Sequence, residues 1–459
     1  MYTTTDKIHD LNILRDRVWG EVITQYDAGY DDAASTFNLT QSQNAVAIVF
    51  AESAEDVQAT VKFARKAGLR IAPQSTTHNA APMHDALQGT IVLKTTRMKG
   101  VEIDTERRVA RVQAGTLWRE VTDRLRGTGL AALHGSSPTV GVAGYSLGGG
   151  VGWQARKHGM QTNHLVALDV INEQGEKIRA TKDENADLFW ALRGGGGNFG
   201  VVTALEFELV ATPQLYAGML VWDWEQAGEV METWLSMLPH LPDEITSTFR
   251  ILQLPPFEEI PEPFRGRQIA VVNGAVLGDA DLGEWLLAPL RKLNPEMDTF
   301  ASVDPADIAR LHMDPEDPMP YVTDHMLAEM ITPEAARELV AAAGPGSGSP
   351  LAVVELRHMG GALNRSHADH GARNTLPGEL MFFTIAAVIP EIPMEVIEGK
   401  MAELNSVIAP FKAESDYPNF VENKTPLSEF FDPHTYARIK EVKRQYDPEN
   451  VFQANFEIE

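Results

Sequence analysis

"GSSPTVGVAGYSLGGGVGWQARKHGM" (residues 135–160) decides what kind of fold this chain builds. Glycine lets the backbone approach a partner closely and adopt conformations that other residues avoid. Runs of outward N–H groups form concavities that hold phosphate oxygens. A second run, "RGGGGNFG", follows at 193–200, and a loop, "PQSTTHNA", precedes at 73–80. Each alone reads equally well as a tight turn between packed strands. Clustered between residues 45 and 210, they point to a ligand held by main-chain amides. No strand–GxGxxG–helix unit opens the chain and no GxxxxGK[ST] occurs, so the dinucleotide fingerprint and the P-loop are both weak readings.

Working outward, "AVAIVF" (45–50) reads as a buried strand. In the next segment Ser53 and Asp56 have cap-like spacing, an apolar stripe runs through Val57 and Val61, and Gly68 supplies a stop. "LRIAPQ" (69–74) is a strand again, which predicts a β-α-β unit over 45–74 with the loop of His78 at its exit, where α/β folds place ligands. Strands are expected at 90–95 and 107–115, a helix over 116–129, and a hairpin turning near Gln174-Gly175. Beyond Val210 the glycine clusters stop. Strands such as "YAGMLVWDW" (216–224) and "RQIAVVNGAVLG" (267–278) alternate with helices such as 225–238 and 395–410, which predicts a second α+β unit.

The 459 residues carry a formal net charge of -25 and no cysteine. The first property argues against nucleic acid and anionic membranes as partners. The second excludes disulfides, thiolate catalysis and iron-sulfur ligation, so redox chemistry would need a bound cofactor. No apolar run approaches the roughly 18 residues of a membrane span. The N-terminus lacks a basic segment followed by an apolar core, so the expected location is the cytoplasm.

His78 can be read as a surface residue, a ligand or a base. "HNAAPMH" fits no common metal-ligand spacing, and no metal site is expected. "SDYPNF" (415–420) reads as an extended segment with Tyr417 and Asn419 on one face. In "VVELRHMGG" (353–361), Glu355 and Arg357 share a face and His358 takes the other. That pair reads as structural or catalytic.

Together these stretches resemble the berberine bridge enzyme-like FAD-linked oxidoreductases of the vanillyl-alcohol oxidase superfamily, the branch that includes 6-hydroxy-D-nicotine oxidase. The resemblance runs through "GEVITQYDAGYDDAASTFNLTQSQNAVAIVFAESAEDV" (20–57), the glycine signature at 135–160, "DLFWALRGGGGNFGVVTALEFEL" (187–209), "YPNF" (417–420) and "KRQYDPENVFQANFEI" (443–458). It implies an α+β fold with a bipartite FAD-binding domain of the PCMH type and an inserted α+β substrate domain, an antiparallel sheet covered by helices. The implied division is 1–210 for flavin (core about 41–211), 211–411 for substrate, and 412–459 returning to the flavin domain.

The same resemblance implies FAD bonded covalently to His78. Gln74, Ser75, Thr76, Thr77 and Asn79 form the loop, and Thr76 and Thr77 stand where relatives have glycines. Ser136, Ser137, Val140, Gly141, Gly144, Tyr145, Gly148, Gly149 and Gly152 form the signature, and Ser137 stands where a second flavin bond would need cysteine. Asn198, Gly200, Val201, Asn419 and Asn455 complete the implied cofactor set. Tyr417 matches a position that serves as base, with Glu355 and Arg357 next. The expected activity is oxidation of an alcohol, sugar or amine-bearing small molecule at the flavin N5, with O2 as acceptor and H2O2 as product. The alternatives are a dehydrogenase with another acceptor and a non-catalytic flavin-bearing binding protein.

Overall fold

The computed structural model describes residues 11–256, 258 and 260–459. The first lobe is built on a four-stranded sheet in the order Glu21–Thr24, Ala47–Phe50, Thr90–Lys94, Arg70–Gln74. Helix Ala54–Ala67 starts where Ser53 accepts from the Asp56 amide and stops at Gly68, whose φ of 64° closes the last turn. The β-α-β unit is therefore present, but its two strands are not neighbours. Thr90–Lys94 enters between them, parallel to both. It is buried along its whole length, so it takes the central position where both faces are covered.

The second lobe is a five-stranded antiparallel sheet ordered Val101–Asp104, Val109–Gln113, Val201–Glu208, Leu165–Ile171, Lys177–Thr181. Its last two strands are the expected hairpin, with Ile171 opposite Lys177. Helices Trp118–Leu125, Val142–Gly148 and Ala186–Gly195 cover it, and Trp118, Leu168, Leu205 and Phe207 fill the space between.

The third unit is a large antiparallel sheet whose strands run Met297–Asp298, Tyr216–Asp223, Gln268–Val276, Ile245–Gln253, Val353–His358, Leu380–Ala387, Tyr321–Ala328. Four helices, Ala227–Met237, Ala280–Arg291, Pro333–Ala343 and Met394–Ile408, join one core with one face of this sheet, centred on Trp222, Trp234, Phe249, Leu356 and Phe382. Side chains alternate along a strand, so the intervening residues point the other way. Among them are Thr248, Arg250, Asn273, Glu355 and Arg357, and none of these is more than 6 % exposed. A polar sheet face this deeply covered must be facing something, and what it faces is the glycine-rich turn and the returning C-terminal segment: Val151, Met160, Met381 and Tyr417 pack in one cluster.

The C-terminal segment locks onto both lobes. Helix Pro433–Tyr446 adds Ile439 and Val442 to the second lobe's core. Phe452 then pairs with Ile71 beside the first sheet. Between them Lys443, 8 % exposed, donates to the Asp447 carboxylate at 2.6 Å and the Asn198 carbonyl at 2.8 Å. Asp447 in turn accepts from the amides of Val451 and Phe452. Among the described residues, no helix is long and apolar enough to cross a membrane.

Removing one partner of a buried ion pair strands the other without compensation. Lys443→Met should therefore lower stability by about 3–5 kcal/mol, read as a fall in the urea midpoint. An unchanged midpoint would mean that the pair does not hold the tail.

Candidate active site

Helix Val142–Gly148 ends in two glycines with positive φ, Gly149 at 142° and Gly150 at 85°. The turn aims the amides of Gly150 and Val151 at one atom, the Tyr417 hydroxyl, each at 3.0 Å. A side chain at Gly150 would lie 2.5 Å from the Tyr145 ring, and one at Gly148 would lie 1.8 Å from Asn419 Oδ1. The turn needs glycine for both conformation and space. Asn419 Nδ2 donates to the Tyr145 carbonyl at 3.0 Å, so Tyr417 and Asn419 grip the same turn.

They do so without the extended backbone expected of 415–420. Pro418–Phe420 is a single 3-10 turn, closed by the Phe420 amide on the Tyr417 carbonyl at 3.0 Å. Proline's fixed φ suits the first position of such a turn. The two side chains reach one target from a bend.

A phenol has one hydrogen to donate and two lone pairs. Gly150 and Val151 engage the lone pairs of Tyr417, so its hydrogen is what remains to meet a ligand. Burial pushes its pKa well above the ordinary phenol value, while the two amides, Arg373 and Arg357 pull it back in part. Tyr145 is also raised by burial, and its hydroxyl donates to the Leu133 carbonyl at 3.1 Å.

Across from the turn lies the polar face of the large sheet. Glu355 accepts from Arg357 Nε at 2.9 Å and meets His312 Nε2 at 2.7 Å. His312 Nδ1 meets the amide nitrogen of Asn273 at 3.2 Å, and Asn273 Oδ1 accepts from the Thr248 hydroxyl at 2.5 Å. An amide nitrogen only donates, so Nδ1 is the acceptor and Nε2 carries the ring hydrogen toward Glu355. Burial would raise the Glu355 carboxyl, but Arg357, His312 and Arg250 together hold it well below the usual carboxylate range. Trp153 leans on the His312 ring at 5.6 Å between centroids. Arg357 also lies over the Phe420 ring at 5.7 Å.

Of this network the sequence singled out Tyr417, Glu355 and Arg357, and the structure brings all three together. His312, Asn273, Thr248, Arg250, Arg373 and Trp153 were missed. A signal existed for three of them: Thr248 and Arg250 alternate with Phe249 and Ile251, and Asn273 interrupts the apolar run of Gln268–Val276. His312 sits in a loop with no periodicity.

His78 lies beside the start of the glycine-rich signature. Its ring stacks on Phe37 at 3.7 Å between centroids, and its Nε2 meets Thr139 Oγ1 at 3.3 Å. Although its surface is partly open to the cleft, burial holds its pKa down to about 4, so the ring is neutral at physiological pH. Around it, Thr77 adopts φ 60° and its hydroxyl accepts from the Phe37 amide at 3.0 Å. Thr76 accepts from the Gly141 amide at 3.3 Å, and Asn79 donates to the Pro418 carbonyl at 2.8 Å. Asn455 donates to the Asn79 carbonyl. Ser137 meets Thr139 at 3.1 Å, while Ser136 donates to Asp314 at 2.7 Å. Val140 packs on the second lobe's core, and no atom beyond its neighbours lies within 4 Å of a Cβ built on Gly144. Gly152 approaches the His134 carbonyl too closely to carry a side chain.

The remaining three predicted residues stand where the C-terminal tail docks. Asn198 donates to the carbonyls of Gly195 and Phe456, each at 3.0 Å. Gly200 approaches Val170, and Val201 is buried between the lobes.

The first-lobe loop fits a flavin dinucleotide. Gln74 Nε2 and Oε1, Ser75 Oγ and Asn79 Oδ1 are buried without a partner among the described residues. Buried polar atoms are ordinarily satisfied, so a cluster of orphans on one loop marks where a polar ligand docks. The unpartnered hydroxyls of Ser146 and Thr162 extend the same cue toward the second lobe.

The comparisons agree. A family model of an FAD binding domain matches residues 45–181, and one described as berberine and berberine like matches 416–459. The chain is 29% identical to (R)-6-hydroxynicotine oxidase of Paenarthrobacter nicotinovorans, over 96% of this chain and 97% of that protein. It is similar to the crystal structure of 6-hydroxy-D-nicotine oxidase from Arthrobacter nicotinovorans, with TM-score 0.81 and 26% identity over 96% and 98% of the two chains. A glucooligosaccharide oxidase from Acremonium strictum, described as carrying 6-S-cysteinyl, 8α-N1-histidyl FAD, shares the fold at TM-score 0.78 and 22% identity, over 98% and 99%. The chain belongs to the berberine bridge enzyme-like FAD-linked oxidoreductases of the vanillyl-alcohol oxidase superfamily, and it is an enzyme that binds FAD.

The buried histidines give this fold a pH signature. Burial lowers His78 and His158 to about 4, His358 to about 3, and His134 and His312 below the ordinary value. An unfolded chain protonates its histidines near pH 6.5. Between about 4 and 6.5 the unfolded state therefore binds more protons, and stability is full above 6.5 and falls as pH drops toward 4. The urea midpoint should be lower at pH 5 than at pH 7, and His358→Leu should flatten that difference. Equal midpoints at the two pH values would contradict the neutral burial.

Proposed function

We propose that the protein is an FAD-dependent oxidase, its flavin bonded to His78, acting on an alcohol, sugar or amine-bearing small molecule. The observation that carries this reading is the Tyr417 hydroxyl. It is fixed by two backbone amides, lies near two arginines, and borders the polar sheet face. We also propose the division 1–210 and 412–459 for flavin and 211–411 for substrate. When bound, FAD supplies a two-electron acceptor at N5 and passes the electrons to O2, giving H2O2.

The chain's own residues do the rest. The loop from Gln74 to Asn79 and the turn from Gly148 to Val151 hold the cofactor. His78 is neutral, and Thr139 occupies its Nε2, which leaves Nδ1 as the nitrogen for a bond to carbon. The lack of cysteine restricts attachment to this single histidine. Tyr417 takes the proton from the substrate OH or NH. The Gly150 and Val151 amides and the Arg357 and Arg373 charges stabilise the phenolate that does so. Glu355, ionised and spoken for by His312 and Arg357, holds the Arg357 guanidinium in place.

Two outcomes test this. Acid precipitation of the holoenzyme should leave yellow flavin in the pellet, and His78→Ala should release it to the supernatant. A colourless wild-type pellet ends the histidyl bond. Separately, anaerobic flavin reduction by substrate should accelerate as pH rises, because burial keeps Tyr417 protonated at neutrality. Tyr417→Phe should lower the rate by about 10²–10⁴-fold with far less effect on binding, as expected for loss of a general base. A rate that is flat from pH 6 to 10 assigns the proton to Glu355, which is ionised throughout. Turnover in air should release H2O2 stoichiometrically, whereas dependence on an added dye would make the enzyme a dehydrogenase.

A further inference from the structure

Arg250 stands apart from the other charges on the polar sheet face. It is 4 % exposed. Its Nη1 donates to the His312 carbonyl at 3.0 Å, and among the described residues its Nε and Nη2 are buried with no partner. Those two nitrogens form one edge of the guanidinium, the pair of parallel N–H groups that takes a carboxylate in bidentate fashion.

The nearest carboxylate cannot fill that edge. Glu355 lies directly across the strand pair from Arg250, yet it is committed to Arg357 Nε and His312 Nε2. Asp314 is held by the Ser136 hydroxyl at 2.7 Å. Burial holds His312 below its ordinary value, so it brings no positive charge of its own. The charges of Glu355 and Asp314 act on both Arg250 and Arg357, but neither carboxylate hydrogen-bonds the Nε–Nη2 edge of Arg250. The neighbours of Arg250 on the same face are Leu252 and Val271, part of an apolar cluster with Met219, Phe264 and Ile269. An apolar wall ending in an unpaired guanidinium edge matches an apolar body that bears an acid.

We propose that Arg250 is a substrate-recognition residue that binds a carboxylate, and that the enzyme's substrates are carboxylated small molecules. The proposal rests on the assignment of residues 211–411 to the substrate given above. A neutral amide or hydroxyl offers a single acceptor to the edge and leaves one donor unmet, whereas a carboxylate satisfies both. Leaving a buried donor unmet is costly, and this gives the residue its selectivity.

The test is binding rather than turnover. Benzoate and phenylacetate, with benzamide and phenylacetamide as neutral counterparts, are titrated into the FAD-loaded enzyme by calorimetry and by the visible flavin spectrum. The two acids should bind saturably and the amides at least about tenfold more weakly, the scale of one charge-assisted pair. Arg250→Met should abolish that preference while FAD content and melting temperature are retained. Should that variant fail to fold, Arg250→Lys keeps the charge without the bidentate edge and should still narrow the preference. Equal binding of acids and amides by the wild type, or an undiminished preference for acids in the variants, overturns the proposal. Because neither readout needs peroxide formation, failure here is distinct from failure of the oxidase reading, which the peroxide assay decides.

Discussion

The Tyr417 hydroxyl accepting two backbone amides at once is the contact on which this architecture turns. It exists only because Gly149 and Gly150 adopt positive φ and carry no side chain, which rotates consecutive N–H groups toward one point. The turn belongs to the second lobe, Tyr417 to the returning C-terminal segment, and the Phe420 beside it packs against Phe383 of the large sheet. Three regions far apart in sequence therefore converge on one phenol. The same convergence buries the phenol and raises its pKa, so the interaction that orders the site also sets the pH at which it can accept a proton.

Burial acts on the sheet face as well. Five polar residues share one covered surface, and the cost of desolvating them is offset by a chain of matched donors and acceptors. Thr248, Asn273, His312, Glu355 and Arg357 satisfy one another in sequence, and the Asn273 amide fixes the His312 tautomer. This leaves Glu355 ionised and unable to act as an acid. It also leaves Arg250 with two buried donors that no described residue satisfies, as it leaves Nε1 of Trp153 and Nε of Arg373. Of these, Arg250 alone offers two adjacent donors on one guanidinium edge, the shape that takes a carboxylate.

The parts of the site that depend on local geometry were legible in the sequence. Glycine clustering marked the turn at 148–152, and the loop at 73–80 was marked by its place after a strand. The alternation of "VVELRH" put Glu355 and Arg357 on one face, which their 2.9 Å contact bears out. The extended reading of 415–420 failed because Pro418 bends the chain into a 3-10 turn. The β-α-β unit within 45–74 is present, but the order of its strands in the sheet was not legible. A strand from later in the chain, Thr90–Lys94, buried along its whole length, takes the place between them. His312 was invisible because its partner Glu355 is 43 residues away and the loop that carries His312 has no periodicity. Arg250 opposite Glu355 is likewise a matter of register across the sheet, which only the folded chain reveals.

The central claim is that the turn at 148–151 and Tyr417 form one wall of the flavin site, with the Glu355–Arg357 sheet face as the other. A crystal structure of the FAD-loaded enzyme tests this most directly. The account predicts the isoalloxazine in the cleft between those walls, continuous density from its ring to His78, and the Tyr417 hydroxyl still within hydrogen-bond distance of the Gly150 and Val151 amides. Flavin seated elsewhere, or a Tyr417 side chain swung away from the turn once the cofactor is bound, would contradict it.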